Sequence, residues 1–352
     1  MKYVLFRSRL SITSGAGQLI KLQAQELKKQ LHACQVYCEK KRFKFFLSTG
    51  LWARRTRLKS NMLVLPDKNV FIIDHSGVVK NADVNFIHNV GQGRAQLTQE
   101  DLANDLADNA IADTQSHVIA NSFLVKKVLR NEGVAAERIS VVYPSYDKER
   151  FNVDKRLAFR EDARKQLGVA PDKKLIGYIT SGNFKKRGLD LFLDICGQLP
   201  QSDYAFFLQG GDSIPDEYQS HELVRNGQLI HKPKCSHPEF WLSALDLFVY
   251  PARFEEFGMV IPEALAMGIP VVTSRLVGAS EILLDDYQSF LMEKPALIPF
   301  VETIKRLMSD QDCYQKLQQC GFESLRYTDQ DYSQRTLSVI GSLRPLSESS
   351  VP

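Results

Sequence analysis

The chain has 352 residues, of which 44% are hydrophobic and 24% charged, values that fit a soluble globular protein with two domains, each able to bury its own core without a metal or a disulfide. Six scattered cysteines, Cys34, Cys38, Cys196, Cys235, Cys313 and Cys320, lack the spacing of a zinc site and suit a reduced compartment. The apolar start Met1–Phe6 runs straight into Arg7 and Arg9, unlike a signal peptide, and no stretch of about 18 apolar residues is free of charge, so the expected location is the cytoplasm.

In chain order, a strand is predicted at Tyr3–Phe6, then a loop carrying Gly15 and Gly17, a helix over Leu19–Leu31 and a strand near Gln35–Cys38. Further strands are expected at Met62–Leu65, Val70–Ile73, Val84–Ile87, His117–Ala120 and Ile139–Val142, which reads as a parallel sheet with crossover helices. The polar segment Pro144–Arg156 is taken as a linker. After it the alternation restarts with a helix around Phe159–Leu167 and strands at Leu175–Ile179, Ala205–Leu208, Leu229–Ile230, Leu247–Tyr250 and Pro270–Thr273, with helices at Leu189–Cys196, Pro238–Ala244 and Val260–Met267. Two such units in succession predict two doubly wound Rossmann-like domains, residues 1–155 and 156–325. A helix at 326–344 is expected to pack back on the first domain, and 345–352 to be a disordered tail.

Chemistry concentrates where strands end. Glu255 falls just past the strand Leu247–Tyr250, where open α/β sheets bind ligands, and Glu263 falls in the helix that follows Gly258. Between them, backbone N–H groups near Gly258, Met259 and Val260 would start a helix and suit a phosphate or a sugar hydroxyl. A second turn, Gly182-Asn183-Phe184-Lys185-Lys186-Arg187-Gly188, follows a strand and opens a helix. Its glycines let a backbone approach a diphosphate, and Lys186 or Arg187 can neutralise it.

Glu255 and Glu263 stand with seven residues between them, followed by Ala264-Leu265-Ala266-Met267-Gly268-Ile269-Pro270 and then by Gly278-Ala279-Ser280-Glu281. This resembles the Glu-x7-Glu signature of the retaining family-four glycosyltransferases, and it is similar to that of bacterial lipopolysaccharide-core glucosyltransferases. The turn at Gly182 and the run from Ile119 through Ser122, Pro144 and Asp147 extend the likeness, with Gly182-Asn183 where the family often has Gly-Arg and Pro144-Ser145-Tyr146-Asp147 where it usually has Asn-Gly-Val-Asp. The resemblance implies a GT-B fold, two Rossmann-like domains facing a central cleft, and transfer of a hexose-type sugar from a nucleotide diphosphate sugar to a glycan or glycolipid acceptor of the cell-envelope polysaccharide or lipopolysaccharide type. It implies Glu255 beside the transferred sugar and Glu263 on the ribose, with Gly15, Gly17, Gly182, Lys186, Arg187, Phe257, Gly258, Met259 and Val260 completing the donor site. His88, just past a strand, matches the position of a histidine that the family directs at the sugar hydroxyls. The catalytic set is then Glu255, His88, Lys186 and Arg187. Neither Asp310-Gln311-Asp312 nor Asp329-Gln330-Asp331 sits at a strand end, so no metal or other cofactor is expected.

Two further features take their meaning from this frame. Gly15-Ala16-Gly17-Gln18 with Glu39 downstream could start a dinucleotide fingerprint, but Ile20 replaces the third glycine and eight residues separate the predicted strand from Gly15. Residues 1–154 carry 23 Lys and Arg against 15 Asp and Glu, while the remainder carries 22 against 26, so the first half is expected to meet something anionic. The span Lys40–Lys59 holds eight cations and no acid, interleaved with Phe43, Phe45, Phe46, Leu51 and Trp52. An anionic membrane surface or a phosphorylated glycolipid acceptor, not nucleic acid, is its expected partner, and the former would make the protein peripheral on the inner face of the cytoplasmic membrane. A nucleotide-sugar epimerase, a phosphorylase or a silent membrane-associated binding protein on the same fold are the alternatives.

Overall fold

The computed structural model describes residues 2–10, 15–30, 32–41, 53–65, 67, 69–88, 90 and 115–343. The chain forms two compact units, residues 1–145 with 329–352, and residues 146–328. The first unit holds a parallel sheet of seven strands, β1 (Lys2–Leu10), β2 (Ala33–Lys41), β3 (Ala53–Arg55), β4 (Val70–Asp74), β5 (Val84–Ile87), β6 (His117–Ala120) and β7 (Ile139–Val141), in the order β3-β2-β1-β4-β5-β6-β7. Alternate residues of β1 serve opposite faces, as a pleated strand requires. Tyr3 and Leu5 pack with Ile20, Ala24 and Leu27 of the helix Gly15–Lys29, whereas Val4 and Phe6 pack with Leu63, Ile72 and Val79. A parallel sheet covered on both faces explains why its strands read as nearly unbroken apolar runs.

The C-terminal helix Asp329–Leu343 belongs to this first unit. Tyr332 and Ile340 enter the core of Leu5 and Ile20. Ser145 Oγ donates to Asp329 Oδ1 at 2.6 Å, and Arg335 Nη2 donates to the Tyr143 carbonyl at 3.1 Å.

The second unit carries the parallel strands β8 (Lys174–Ile179), β9 (Tyr204–Gln209), β10 (Leu229–Lys232), β11 (Leu247–Tyr250) and β12 (Val271–Thr273), in the order β10-β9-β8-β11-β12. In both sheets the strand order reverses beside the unit's first strand, between β1 and β4 and between β8 and β11. Such a reversal opens a crevice at the carboxyl ends of the strands, the place where doubly wound sheets take ligands.

Three local expectations are corrected. The helix expected from Leu19 begins at Gly15, so Gly15 and Gly17 lie in its first turn instead of a loop. Because β1 runs to Leu10, four residues, not eight, precede that helix. Met62–Leu65 is no strand: Lys59 and Met62 bridge across a tight turn whose Ser60 and Asn61 have φ of 48° and 59°, and Met62 and Val64 are exposed while Leu63 is buried. The boundary drawn at 155/156 falls inside the helix Val153–Leu167, because Asn152 caps it by accepting from the Lys155 amide at 2.8 Å.

That helix shows how a very polar segment is held in place. Arg156, Arg160 and Arg164 recur at four-residue spacing and so share one face. Arg156 donates to the carbonyls of Gly268 and Leu245, and Arg160 and Arg164 reach Asp246 at 2.6 and 3.1 Å. The Asp246 carboxylate also accepts from the Leu175 amide at 2.7 Å. One carboxylate therefore ties the helix to the amino ends of β8 and β11, leaving the carboxyl ends for the site. Removing one partner of a buried pair costs about 3 kcal/mol. Asp246→Ala is expected to lower unfolding stability by about that amount in a denaturant titration, and a loss under about 1 kcal/mol would show this carboxylate to be dispensable.

Candidate functional site

At the reversal point of the second sheet, the loop after β8 meets the loop after β11. The first loop turns sharply, with φ of 142° at Gly182, 52° at Asn183 and 73° at Gly188. Glycine is required at 188 for a second reason: a Cβ there would lie 2.2 Å from the Pro251 carbonyl oxygen. Asn183 to Gly188 close one helical turn, in which Arg187 N donates to Asn183 O and Gly188 N to Lys185 O. The helix Leu189–Gly197 follows.

This turn aims two adjacent cations at two adjacent carboxylates. Arg187 Nε donates to Glu255 Oε2 at 2.7 Å, and Lys186 Nζ donates to both oxygens of Glu256 at 2.7 and 2.8 Å. Arg187 also donates to the Gly182 carbonyl, and Tyr250 Oη donates to Glu255 Oε2 at 2.9 Å. Arg253 fastens the two loops from outside, donating to the Lys185 carbonyl at 2.9 Å and pairing with Asp190. Glu255 and Glu256 are 8% and 2% exposed, and each carboxylate is paired with a cation as a buried charge requires. Burial alone would raise the Glu255 carboxyl, but Arg187, and after it Lys186, hold it below the usual range. Burial pulls the Arg187 guanidinium down while Glu255 outweighs it and holds it well above its ordinary value.

The loop after β11 carries the remaining expected residues. Phe257 and Gly258 are buried, Met259 and Val260 are half-buried, and Gly258 has φ of 91°. A Cβ on Gly258 would lie 3.2 Å from Glu255 Cγ, so this glycine lets the chain pass close behind the paired carboxylate. The helix Val260–Ala266 has seven residues, and so short a helix has a small dipole. Glu263, in that helix, keeps other company: its electrostatic neighbours are Arg150, Glu239 and Asp147, not Lys186 or Arg187. Arg150 is already paired with Glu239 at 2.5 Å. Burial, only partly offset by Arg150, pushes the Glu263 carboxyl up to about 8.

In the first unit, His88 follows β5 at the carboxyl end of the sheet, with its Nε2 3.2 Å from Nδ1 of His75, which follows β4. Gly15 and Gly17 open the helix that packs on β1, and Gly17 is buried. The basic stretch lies in part outside the described residues, at 42–52. Among those described, Arg54, Arg55, Arg57 and Lys59 are exposed.

The structure therefore joins Gly182, Lys186, Arg187, Glu255 and Gly258 into one cluster within the second unit. Sequence reasoning left out Glu256, Tyr250 and Arg253, and in the first unit His75. The signal for Glu256 was present, since an acidic doublet at one strand end faced a basic doublet at another. Among the described residues no group of three or more His, Cys, Asp or Glu is placed to hold a metal ion, and no helix is long and apolar enough to cross a membrane.

The raised Glu263 carboxyl makes stability depend on pH. Its folded value of about 8 exceeds the unfolded value near 4.5, so the folded state holds a proton that the unfolded state releases between them. Stability is fully present below the unfolded value and is lost as pH rises through the folded one. Glu263→Gln, which keeps a neutral group, is expected to raise the unfolding midpoint relative to wild type at pH 8.5 (about half a unit above the folded value) and to leave it nearly unchanged at about pH 4. The same difference at both pH values would show that Glu263 is ionised throughout.

Residues 159–323 match the family described as glycosyl transferases group 1. The chain is 28% identical over 232 residues to D-inositol 3-phosphate glycosyltransferase 1 of Catenulispora acidiphila, covering 61% of this chain and 52% of that protein. It is 30% identical over 191 residues to the lipopolysaccharide core biosynthesis mannosyltransferase LpsB of Rhizobium meliloti, covering 49% of this chain and 52% of that one. The chain thus spans about half the length of the curated relatives it matches. Among solved structures, WaaG, a glycosyltransferase involved in lipopolysaccharide biosynthesis, superposes with a TM-score of 0.75 at 15% identity, over 96% of this chain and 99% of that one. Anabaena HepE in complex with UDP and glucose superposes with a TM-score of 0.76 at 18% identity, over 97% and 100%. Residues 159–323 are thus similar to the group 1 glycosyltransferases, in a chain whose two Rossmann-like units have the GT-B fold.

Proposed function

We propose that this protein transfers a hexose-type sugar from a nucleotide diphosphate sugar to a glycan or glycolipid acceptor of the cell envelope, with retention of configuration and without a metal. The observation that carries the reading is the pair of cations, Lys186 and Arg187, presented by buried carboxylates at the reversal point of the second sheet. The donor class is supported by HepE, whose structure holds UDP and glucose, and the acceptor class by LpsB and WaaG, which serve lipopolysaccharide synthesis.

The hydrogen-bonding capacity of the two cations fits this task. An ammonium has three donors and a guanidinium five. Two of the Lys186 donors go to Glu256, and Arg187 spends one on Glu255 and one on the Gly182 carbonyl. The remaining donors stay available to diphosphate oxygens while the carboxylates keep both side chains fixed. When the bond from the sugar to the diphosphate breaks, negative charge grows on the departing oxygen, and cations already in place stabilise it without reorganising. Glu255 acts here on Arg187 as well as on the sugar, and Glu263 accepts from the ribose hydroxyls. Ribose binding to the ionised form draws the Glu263 proton off, so nucleotide affinity rises with pH toward 8.

The test is turnover with a panel of UDP-, GDP- and ADP-sugars. Lys186→Met with Glu256→Gln, which leaves no buried carboxylate unpaired, is expected to lower kcat about a hundredfold with a smaller change in the donor's KM. EDTA is expected to leave wild-type activity intact. Activity abolished by EDTA and restored by Mg²⁺ or Mn²⁺ would replace the cation reading with a metal, and absence of turnover with every donor would point to a binding protein.

The acceptor side is read from the basic edge of the first sheet. Arg54 and Arg55 lie on the edge strand β3, Arg57 and Lys59 follow it, and Met62 and Val64 beside them are 45% and 58% exposed. Cations with adjacent apolar side chains suit the surface of an anionic bilayer, each cation contributing about 1 kcal/mol. Cosedimentation with liposomes containing anionic lipid is expected to retain wild type, to fall with salt, and to be reduced in an Arg54/Arg55/Arg57→Ser variant. Equal partitioning of both proteins would leave the cations as a device that keeps an edge strand from pairing.

A further inference from the structure

The reversal point of the first sheet holds four polar side chains joined end to end. Gln23 Nε2 donates to Tyr332 Oη at 3.1 Å, Gln23 Oε1 lies 2.8 Å from His75 Nε2, and His75 Nδ1 lies 3.2 Å from His88 Nε2. Gln23, His75 and Tyr332 are each 1% exposed. The direction of the chain follows from valence. The Gln23 amide nitrogen has only protons to offer and spends one on Tyr332, so the amide oxygen accepts and His75 carries its proton on Nε2. A neutral imidazole has one N–H, which leaves His75 Nδ1 as a lone pair that accepts from His88 Nε2. His88 then has its own lone pair on Nδ1. Both rings stay neutral, because burial first, and then neighbouring charge including Arg7, lowers His75 well below its usual value and His88 to about 3.

We propose that Tyr332, Gln23 and His75 are positioning residues that fix the tautomer of His88 and so present its Nδ1 as a hydrogen-bond acceptor to a substrate hydroxyl; this rests on the reading of His88 as a substrate contact. Among the described residues His88 Nδ1 has no hydrogen-bond partner, so the acceptor is unspent. The residue that sets it is held by its backbone and by its ring. His75 N donates to the Phe6 carbonyl at 2.8 Å, Arg7 Nη1 donates to the His75 carbonyl at 2.9 Å, and the imidazole stacks on Phe86 at 4.4 Å and 12°. Asp74 pins the turn that follows by accepting from the amides of Ser76, Val78 and Val79 at 2.8 to 2.9 Å. A core needing only stability can replace such a chain with apolar groups at little loss. Its last member, Tyr332, comes from the C-terminal helix, 309 residues from Gln23, so the distant end of the chain completes the setting of a residue at the sheet's reversal point.

The experiment reads tautomer and turnover separately. Long-range ¹H–¹⁵N spectra of the histidine rings are expected to show a protonated Nε2 and an unprotonated Nδ1 for His88 in wild type and in Gln23→Glu, whose carboxylate can only accept from His75. Gln23→Met and Tyr332→Phe, each first shown folded by the dispersion of its amide spectrum, are expected to give mixed tautomers at His88. Their kcat should fall about tenfold, the scale seen when the partner of a ligating histidine is removed, with free-nucleotide affinity unchanged. The reverse tautomer in wild type, or an unaltered one in both variants, overturns the relay whatever the activity. Mixed tautomers with unchanged kcat would uphold the relay and remove His88 from the substrate contacts.

Discussion

The Arg187–Glu255 contact is the interaction on which the geometry of the second unit's site depends. It joins loops that follow neighbouring strands, and each end is tied again, Arg187 to the Gly182 carbonyl and Glu255 to Tyr250 Oη. Together with the ties from Arg253 and Lys186, it holds a turn with three residues at positive φ against relaxation. Burying such a pair contributes little net stability, since desolvation offsets much of the attraction. Its persistence, with a second pair beside it from Lys186 to Glu256, is better accounted for by placement: two long, flexible cations are confined to one geometry before any anion arrives.

The same solution recurs in the first unit with neutral groups. At its reversal point the confined side chains are an amide, two imidazoles and a phenol, held by Arg7 and Asp74. Both units thus place a confined cluster of buried polar side chains at the reversal point of the sheet. The opposite end of the second sheet is closed by the arginine face of the helix Val153–Leu167, whose guanidinium groups are directed at carbonyls and at Asp246. In each sheet, topology decides which end is functional, and polar satisfaction decides what remains free there.

How much of this the sequence disclosed depended on range. Strands such as Val84–Ile87, His117–Ala120 and Leu247–Tyr250 were legible because doubly covered parallel strands are short apolar runs. Met62–Leu65 misled, because a Leu buried between exposed Met62 and Val64 mimics the alternation of a strand while Ser60-Asn61 turns the chain back on itself. Gly15 and Gly17 misled in the other direction, since the first helical turn tolerates residues that a helix interior does not. The Lys186-Arg187 doublet could be read from its place between a strand and a helix. The acidic doublet Glu255-Glu256 was legible at another strand end, but its pairing with these cations was not, because spacing says which residues are near a strand end and nothing about which face one another. Gln23 and Tyr332 were beyond any local signal.

The two glutamates of the Glu-x7-Glu pattern show most clearly what only the fold can supply. By sequence they are a matched pair of carboxylates. In the folded chain Glu255 sits against a guanidinium and is held below the usual range, so it is an anion across the physiological span and cannot act as an acid. Burial pushes Glu263 up to about 8, and Arg150, which is paired with Glu239, offsets this only in part. Near neutral pH it is a carboxylic acid that can donate as well as accept. Environments that drive two carboxyls apart assign them different work. Here the division is between a permanent counter-charge that positions a cation and a group that holds its proton near neutral pH.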